Sequence, residues 1–149
     1  MTLRVNLRWI RESPARWDVD KARIVGEAPM GTFAGDFRHL RDGTVAPGEW
    51  WRVEDESGRV VAYGWMDVVW GDAEILLAVD PPARGHGVGT FVLEQLQLEA
   101  ARRGLHCLCN VVSPDHPRKV EVTRWLELRG YSATADGRLL RTVVRGAAA

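Results

Sequence analysis

A chain of 149 residues is long enough for one domain with its own core, and 46% hydrophobic with 27% charged residues is ordinary for a soluble globular protein. Twenty basic residues balance twenty acidic ones, so net charge gives no reason to expect nucleic acid or an anionic membrane as a partner. The stretch MTLRVNLRWIRESP lacks the continuous apolar core of a signal peptide and no run approaches transmembrane length, so a cytoplasmic location is expected.

Taken in order, Leu3, Val5 and Leu7 alternate with Arg4, Asn6 and Arg8, which predicts a half-buried first strand. Ser13-Pro14 reads as a helix start, serine as cap and proline at the first position, for a helix running toward Val25. The glycine-rich segment from Ala28 to Gly48 has little pattern beyond a short helix at Ala34 to Leu40. Trp50 to Glu54 and Arg59 to Trp70 read as two strands joined by the turn Asp55-Glu56-Ser57-Gly58. Gly71-Asp72 then turns the chain into a third strand, whose apolar run is Ile75 to Val79.

Asp80-Pro81-Pro82 stops that strand, because proline has no backbone donor for a ladder. Gly85, Gly87 and Gly89 follow, and Val88, Val92, Leu93, Leu96 and Ala100 then fall on one helical face. Arg102, Arg103 and Gly104 give this helix a cationic last turn and a stop. Leu105 to Val112 is a further apolar strand, parallel to the third because a helix connects them. A loop, Ser113 to Pro117, leads to a helix carrying Val122, Trp125, Leu126 and Arg129 and ending at Gly130. Tyr131 to Ala135 and Leu139 to Val144 flank Asp136-Gly137 as a hairpin, and residues 145–149 read as a frayed tail of a single domain.

Strand, glycine-rich turn and helix in that order suit an anion. Glycine allows positive φ and close approach of the backbone, so successive N–H groups can point at one phosphate. The helix N-terminus adds partial positive charge and Arg84 a full one. The segment lacks the Gly-Lys-Ser/Thr ending of a P-loop and the spacing of a dinucleotide fingerprint. With Arg84, Gly87 and Gly89 in an Arg/Gln-x-x-Gly-x-Gly/Ala pattern after Val-Asp-Pro, it resembles the acetyl-CoA motif of the GNAT N-acetyltransferase superfamily.

The resemblance spans about Leu3 to Val144, most closely Ala73 to Gly104. It implies an α/β (α+β) GNAT fold, a mixed central sheet of about six to seven strands with a splayed parallel pair and flanking helices. It also implies acetyl-CoA as co-substrate, with no metal. Leu77, Ala78 and Val79 would bond the pantetheine arm, and Arg84, Gly85, His86, Gly87, Val88, Gly89 and Thr90 would form the pyrophosphate loop. His86 would act there through its backbone N–H.

Some members deprotonate the amine with a glutamate at the start of the third strand. Glu74 is the nearest carboxylate, although anchoring on the glycines puts Ala73 at that position. His116 is a second candidate, and Glu49, Asp67 and Asp115 are further ones. The tyrosine that usually protonates the leaving thiolate corresponds to Leu126, and a cofactor-contacting asparagine corresponds to Lys119 or His116. Cys107 and Cys109 read as small packing residues, with a thiol role as the alternative. Seven tryptophans either pack the sheet or line an aromatic acceptor pocket suited to a small amphipathic or cationic amine. The expected activity is N-acetyl transfer to a primary amine by a monomer or homodimer. A non-catalytic acyl-CoA-binding module is the alternative, motivated by Leu126.

Overall fold

The computed structural model describes residues 6–33, 37 and 39–143. Along them run β1 (Arg8–Glu12), α1 (Val19–Lys21), β2 (Glu49–Glu54), β3 (Val60–Val69), β4 (Asp72–Val79), α2 (Val88–Arg102), β5 (Cys107–Asn110), α3 (Lys119–Glu127), β6 (Ser132–Ala133) and β7 (Leu139–Thr142). The strands form one seven-stranded sheet in the order β1-β2-β3-β4-β5-β7-β6. Only β4 and β5 are parallel, as a helical crossover requires.

One N-terminal expectation is corrected and another is left untested. The alternation through Leu3 and Val5 lies outside the described residues, among which the first strand is Arg8–Glu12. Its register is set by Trp9, which stacks on Trp51 of β2 at 5.5 Å and buries more area than a leucine could. Ser13-Pro14 starts no helix. Ala15 to Trp17 runs extended against residues 43–46, with Trp17 N–H donating to the Thr44 carbonyl at 2.7 Å. The cap is Asp18, whose carboxylate accepts from the Lys21 N–H at 2.8 Å. From Lys21 the helix widens into a π-helical turn over Ala22–Gly26. Most of the short helix expected at Ala34 to Leu40 falls outside the described residues, as do Val144 and the tail.

The rest follows the sequence closely. The Asp55 carboxylate accepts from the backbone N–H groups of Ser57 and Arg59 and closes the β2–β3 turn. The β3–β4 turn sits one residue earlier than expected, on Trp70 and Gly71, because Val69 pairs with Asp72.

The two faces of the sheet differ. α2 lays Val88, Val92, Leu93, Leu96 and Ala100 across one face, against Trp51, Met66, Ala73 and Ile75. Gly64 in β3 makes this possible, since a Cβ there would come within 2.6 Å of the Trp9 ring and 3.1 Å of Val92. The other face carries Trp50, Tyr63 and Ala78, covered by Trp17, Ile24 and Val25 from the α1 region. Among the described residues no helix is long and apolar enough to cross a membrane.

Candidate functional site

β4 and β5 pair from Asp72↔Cys107 to Glu74↔Cys109, after which β5 runs one residue further, paired only with β7, and β4 continues for five. The parting point is marked by Asn110, a buried side chain whose amide donates to the Ile75 carbonyl at 2.8 Å. That bond shows that the backbone groups of Ile75 face β5. Peptide groups alternate along a strand, so those of Leu77 and Val79 face the same way, into a gap with no strand partner. Ala78 instead turns its backbone to Tyr63 of β3. A gap edged by unpaired strand amides fits an extended, amide-containing ligand, because buried N–H and C=O groups need partners.

The gap opens onto the glycine-rich loop. Asp80, buried at the end of β4, is ion-paired with Arg23 and, at 3.3 Å, with Arg59. A turn of 3-10 helix, Pro81–Ala83, then carries the chain to Arg84. Gly85 and Gly87 have φ of 81° and 80°, and a Cβ at either would meet nothing within 4 Å. The loop therefore leaves an open cradle in front of α2. Gly87 caps α2 without a side-chain bond, and the first turn holds no acidic residue, so the N–H groups of Val88, Gly89 and Thr90 are free to bind an anion. Arg84 and His86 are exposed, and Arg84 has no ion-pair partner among the described residues.

A second cation stands beside this turn. The Arg129 guanidinium stacks 4.1 Å over the Trp125 ring and donates to the Thr90 hydroxyl at 3.2 Å. Trp125 in turn lies 3.6 Å from where a Gly89 Cβ would be, next to Val79 and Leu77. The sequence had placed Arg129 only as part of a helical stripe. Asn110 was missed too, although it is the one polar residue in the run Leu105 to Val112 besides His106.

On the opposite face of β4 the side chains are Glu74, Leu76 and Ala78. Leu76 and Ala78, with Leu77 at the edge, floor a shallow open cleft walled by Phe33, Phe37, Trp50, Tyr63 and Trp65. Glu74 is half-buried, lies directly across from Asp67 of β3, and adjoins Cys109 of β5. Neither Glu74 nor Asp67 has an ion-pair partner among the described residues. Ala73 is fully buried against α2, so a glutamate there would face the main core rather than this cleft.

His116 lies in the loop after β5, in the segment against which the Gly31 backbone packs. Its Nδ1 accepts from the Arg118 N–H at 2.9 Å, so the lone pair a general base would use is already engaged. Burial, and then the charge of Arg118, lower its pKa, which also disfavours a standing imidazolium acid. Burial pushes the Cys109 and Tyr131 protons toward higher pKa, and Tyr131 sits in the main core. Among the described residues no group of three or more His, Cys, Asp or Glu could hold a metal ion.

A family model, the acetyltransferase (GNAT) domain, matches residues 46–130, more than half of the chain. The chain belongs to the GNAT family. No curated relative matches the sequence. Solved structures similar to this GNAT chain include the ribosomal-protein-S18-alanine N-acetyltransferase of Escherichia coli, 21% identical over 67% of this chain and 72% of that one, with a TM-score of 0.53. A phosphinothricin acetyltransferase of Sinorhizobium meliloti in complex with AcCoA is also 21% identical, over 68% and 64%, with a TM-score of 0.52. Ard1 of Thermoplasma volcanium is 19% identical over 64% and 70%, with a TM-score of 0.55. At these identities the likeness is one of fold.

Within the family frame, Leu126 at the tyrosine position is buried in the main core at 1% exposure. Lys119, at the asparagine position, is exposed at the start of α3.

Proposed function

We propose that this GNAT domain is a cytoplasmic N-acetyltransferase that moves an acetyl group from acetyl-CoA to a primary amine. The observation that carries the reading is the β4–β5 gap, edged by the backbone of Leu77 and Val79 and leading directly to the uncapped N-terminus of α2. Leu77 and Val79 would bond the pantetheine amides, with Ala78 holding the strand between them. Arg84, Gly85, His86, Gly87, Val88, Gly89 and Thr90 would surround the pyrophosphate, with Arg129 as an additional cation. Acetyl-CoA supplies an activated thioester whose thiolate leaves tolerably near neutral pH, since thiols titrate at about 8.5.

Glu74 is the residue proposed to take the proton from the acceptor. An aliphatic ammonium titrates near 10 and cannot attack until it is deprotonated. Glu74 lies on the same face of β4 as Leu76 and Ala78, on the strand that edges the gap, and no ion pair among the described residues engages its carboxylate. Glu74→Gln should therefore lower kcat by about 10²–10⁴-fold and leave acetyl-CoA affinity unchanged. With saturating acetyl-CoA the rate should climb as pH approaches the amine's pKa. A falling limb below about pH 8 that disappears on replacing Cys109, His116 or Tyr131 would instead identify an acid.

The decisive experiment is thiol release from acetyl-CoA across a panel of primary amines, beside calorimetric binding of acetyl-CoA. Gly87→Asp should abolish binding, because a carboxylate and a Cβ would enter the open cradle. The Gly87 φ of 80° strains any side chain, so stability should fall as well, and loss of binding counts only for protein that circular dichroism shows to be folded. Arg84→Ala should weaken binding by about 1.5–3 kcal/mol. Full affinity in folded Gly87→Asp would remove the pyrophosphate assignment. Binding with no turnover on any amine would favour the second reading, a non-catalytic acyl-CoA-binding module, which the burial of Leu126 supports.

A further inference from the structure

The run Leu105 to Val112 carries a strand pattern to its end, and Val111 and Val112 are β-branched residues suited to one. The strand nevertheless stops at Asn110. With Asp72 against Cys107 and Glu74 against Cys109, a continued register would set Asn110 beside Ile75 and Val112 beside Leu77. In such a parallel ladder the Ile75 carbonyl would accept from a backbone N–H of β5. Its donor is instead the Asn110 side-chain amide, at 2.8 Å. Asn110 is 9% exposed, and among the described residues its Oδ1 has no partner. A buried amide used only by half costs free energy, so packing alone does not account for an asparagine here. On its other side the residue keeps its place in the sheet, paired with Leu139 of β7.

The sheet thus forgoes a rung that its own sequence could supply, at the depth where the gap begins. We infer that Asn110 is the positioning residue of the gap. Its amide occupies the Ile75 carbonyl, stops β5 from zipping along β4, and so keeps the Leu77 and Val79 backbone free for an extended, amide-bearing arm. The unused Oδ1, at the closed end, offers such an arm one more acceptor for an N–H. This rests on reading the gap as the seat of coenzyme A, so one measurement is made without coenzyme. A valine at this position would give β5 a good strand residue and no competing amide. Stability should then hold or rise while binding falls, the pattern of a residue kept for function rather than for folding.

The full wild-type chain is compared with Asn110→Val. Without coenzyme, amide exchange followed by NMR should slow about 10-fold or more at Leu77 in the variant, because that N–H gains a strand partner. Calorimetry with CoA, and with adenosine 3′,5′-bisphosphate, which has the nucleotide end but no pantetheine arm, then locates the effect. Asn110→Val should bind CoA about 10- to 100-fold more weakly, the worth of about two lost hydrogen bonds. It should bind the bisphosphate as the wild type does. Asn110→Leu, similar in size and without an amide, should show the same split if Asn110→Val does not fold.

Exchange at Leu77 as fast in Asn110→Val as in the wild type would overturn the inference. So would full CoA affinity in the variant. Equal weakening of CoA and the bisphosphate would overturn it as well, since Asn110 would then act through the glycine-rich loop or the fold at large. A wild-type chain that bound neither ligand would remove the coenzyme reading, while slowed exchange in Asn110→Val would still uphold the residue that parts the strands.

Discussion

The two faces of the sheet solve the same burial problem in opposite ways. Under α2 the contacts are mainly apolar, a fifteen-residue helix closes the face, and its buried positions repeat at helical spacing. Across the sheet the cover is a short helix ending in a π-helical turn, and the packing is aromatic. It also encloses charge: Lys21 has no exposed surface, is 2.5 Å from Glu12 and 3.2 Å from Asp18, and lies beside Trp50 and Tyr63. One face is thus a mainly apolar structural core. The other keeps an open cleft and fixes its walls with ion pairs and directed hydrogen bonds. A residue's substitution should therefore cost stability by a different mechanism on each side.

The largest effect on stability should come from the charged face. Lys21→Ala leaves the Glu12 and Asp18 carboxylates turned toward each other with no cation between them, at an expected cost of about 3–5 kcal/mol in urea unfolding. A loss below about 1 kcal/mol would mean that the network is not buried in solution, and the contrast between the faces would fail.

Leu96→Ala, on the fully buried stripe of α2, should cost about 3 kcal/mol through lost burial and a cavity. The double variant should be additive within about 0.5 kcal/mol, because the two sites share no partners across the sheet. A larger coupling would show that the faces act as one unit.

The smallest effect is electrostatic and lies at the rim of the α2 face. Glu49 accepts two hydrogen bonds from Arg103, the C-cap of α2, at 2.7 and 2.9 Å, and one from Arg11 of β1 at 3.0 Å. The Arg103 bonds, opposed by partial burial and assisted by both arginine charges, hold its pKa below the usual glutamate value. The unfolded chain therefore binds this proton more readily. The stabilisation is present above the unfolded pKa of about 4.3 and is lost as pH falls through the folded value. Glu49→Gln should flatten the acid limb of the stability profile, while costing about 1 kcal/mol or less at pH 7 because the pair is partly exposed. An unchanged acid slope would assign it to other carboxylates.

What the sequence determined is the stretch where chemistry is local. The five α2 residues chosen by helical spacing, Val88, Val92, Leu93, Leu96 and Ala100, are the buried ones. The parallel order of β4 and β5 followed from the intervening helix, and the positive φ of Gly85 and Gly87 agrees with their place in a cradle. Periodicity and backbone freedom are properties of neighbouring residues, so a single chain reveals them.

Tertiary structure decided the rest. Asp18 rather than Ser13 caps the first helix because Trp17 and its neighbours pair with residues 43–46, a partnership no local pattern encodes. Leu126 and Ala73 sit in the main core, Asn110 marks where two strands part, and Arg129 reaches Thr90 across 39 positions of sequence. The aromatic cleft gathers Phe33 and Phe37 from the segment with the least pattern, and Trp50, Trp65 and Leu76 from three different strands. Such a site is specified by which face each strand turns to its neighbour, and a one-residue change of register would reverse it.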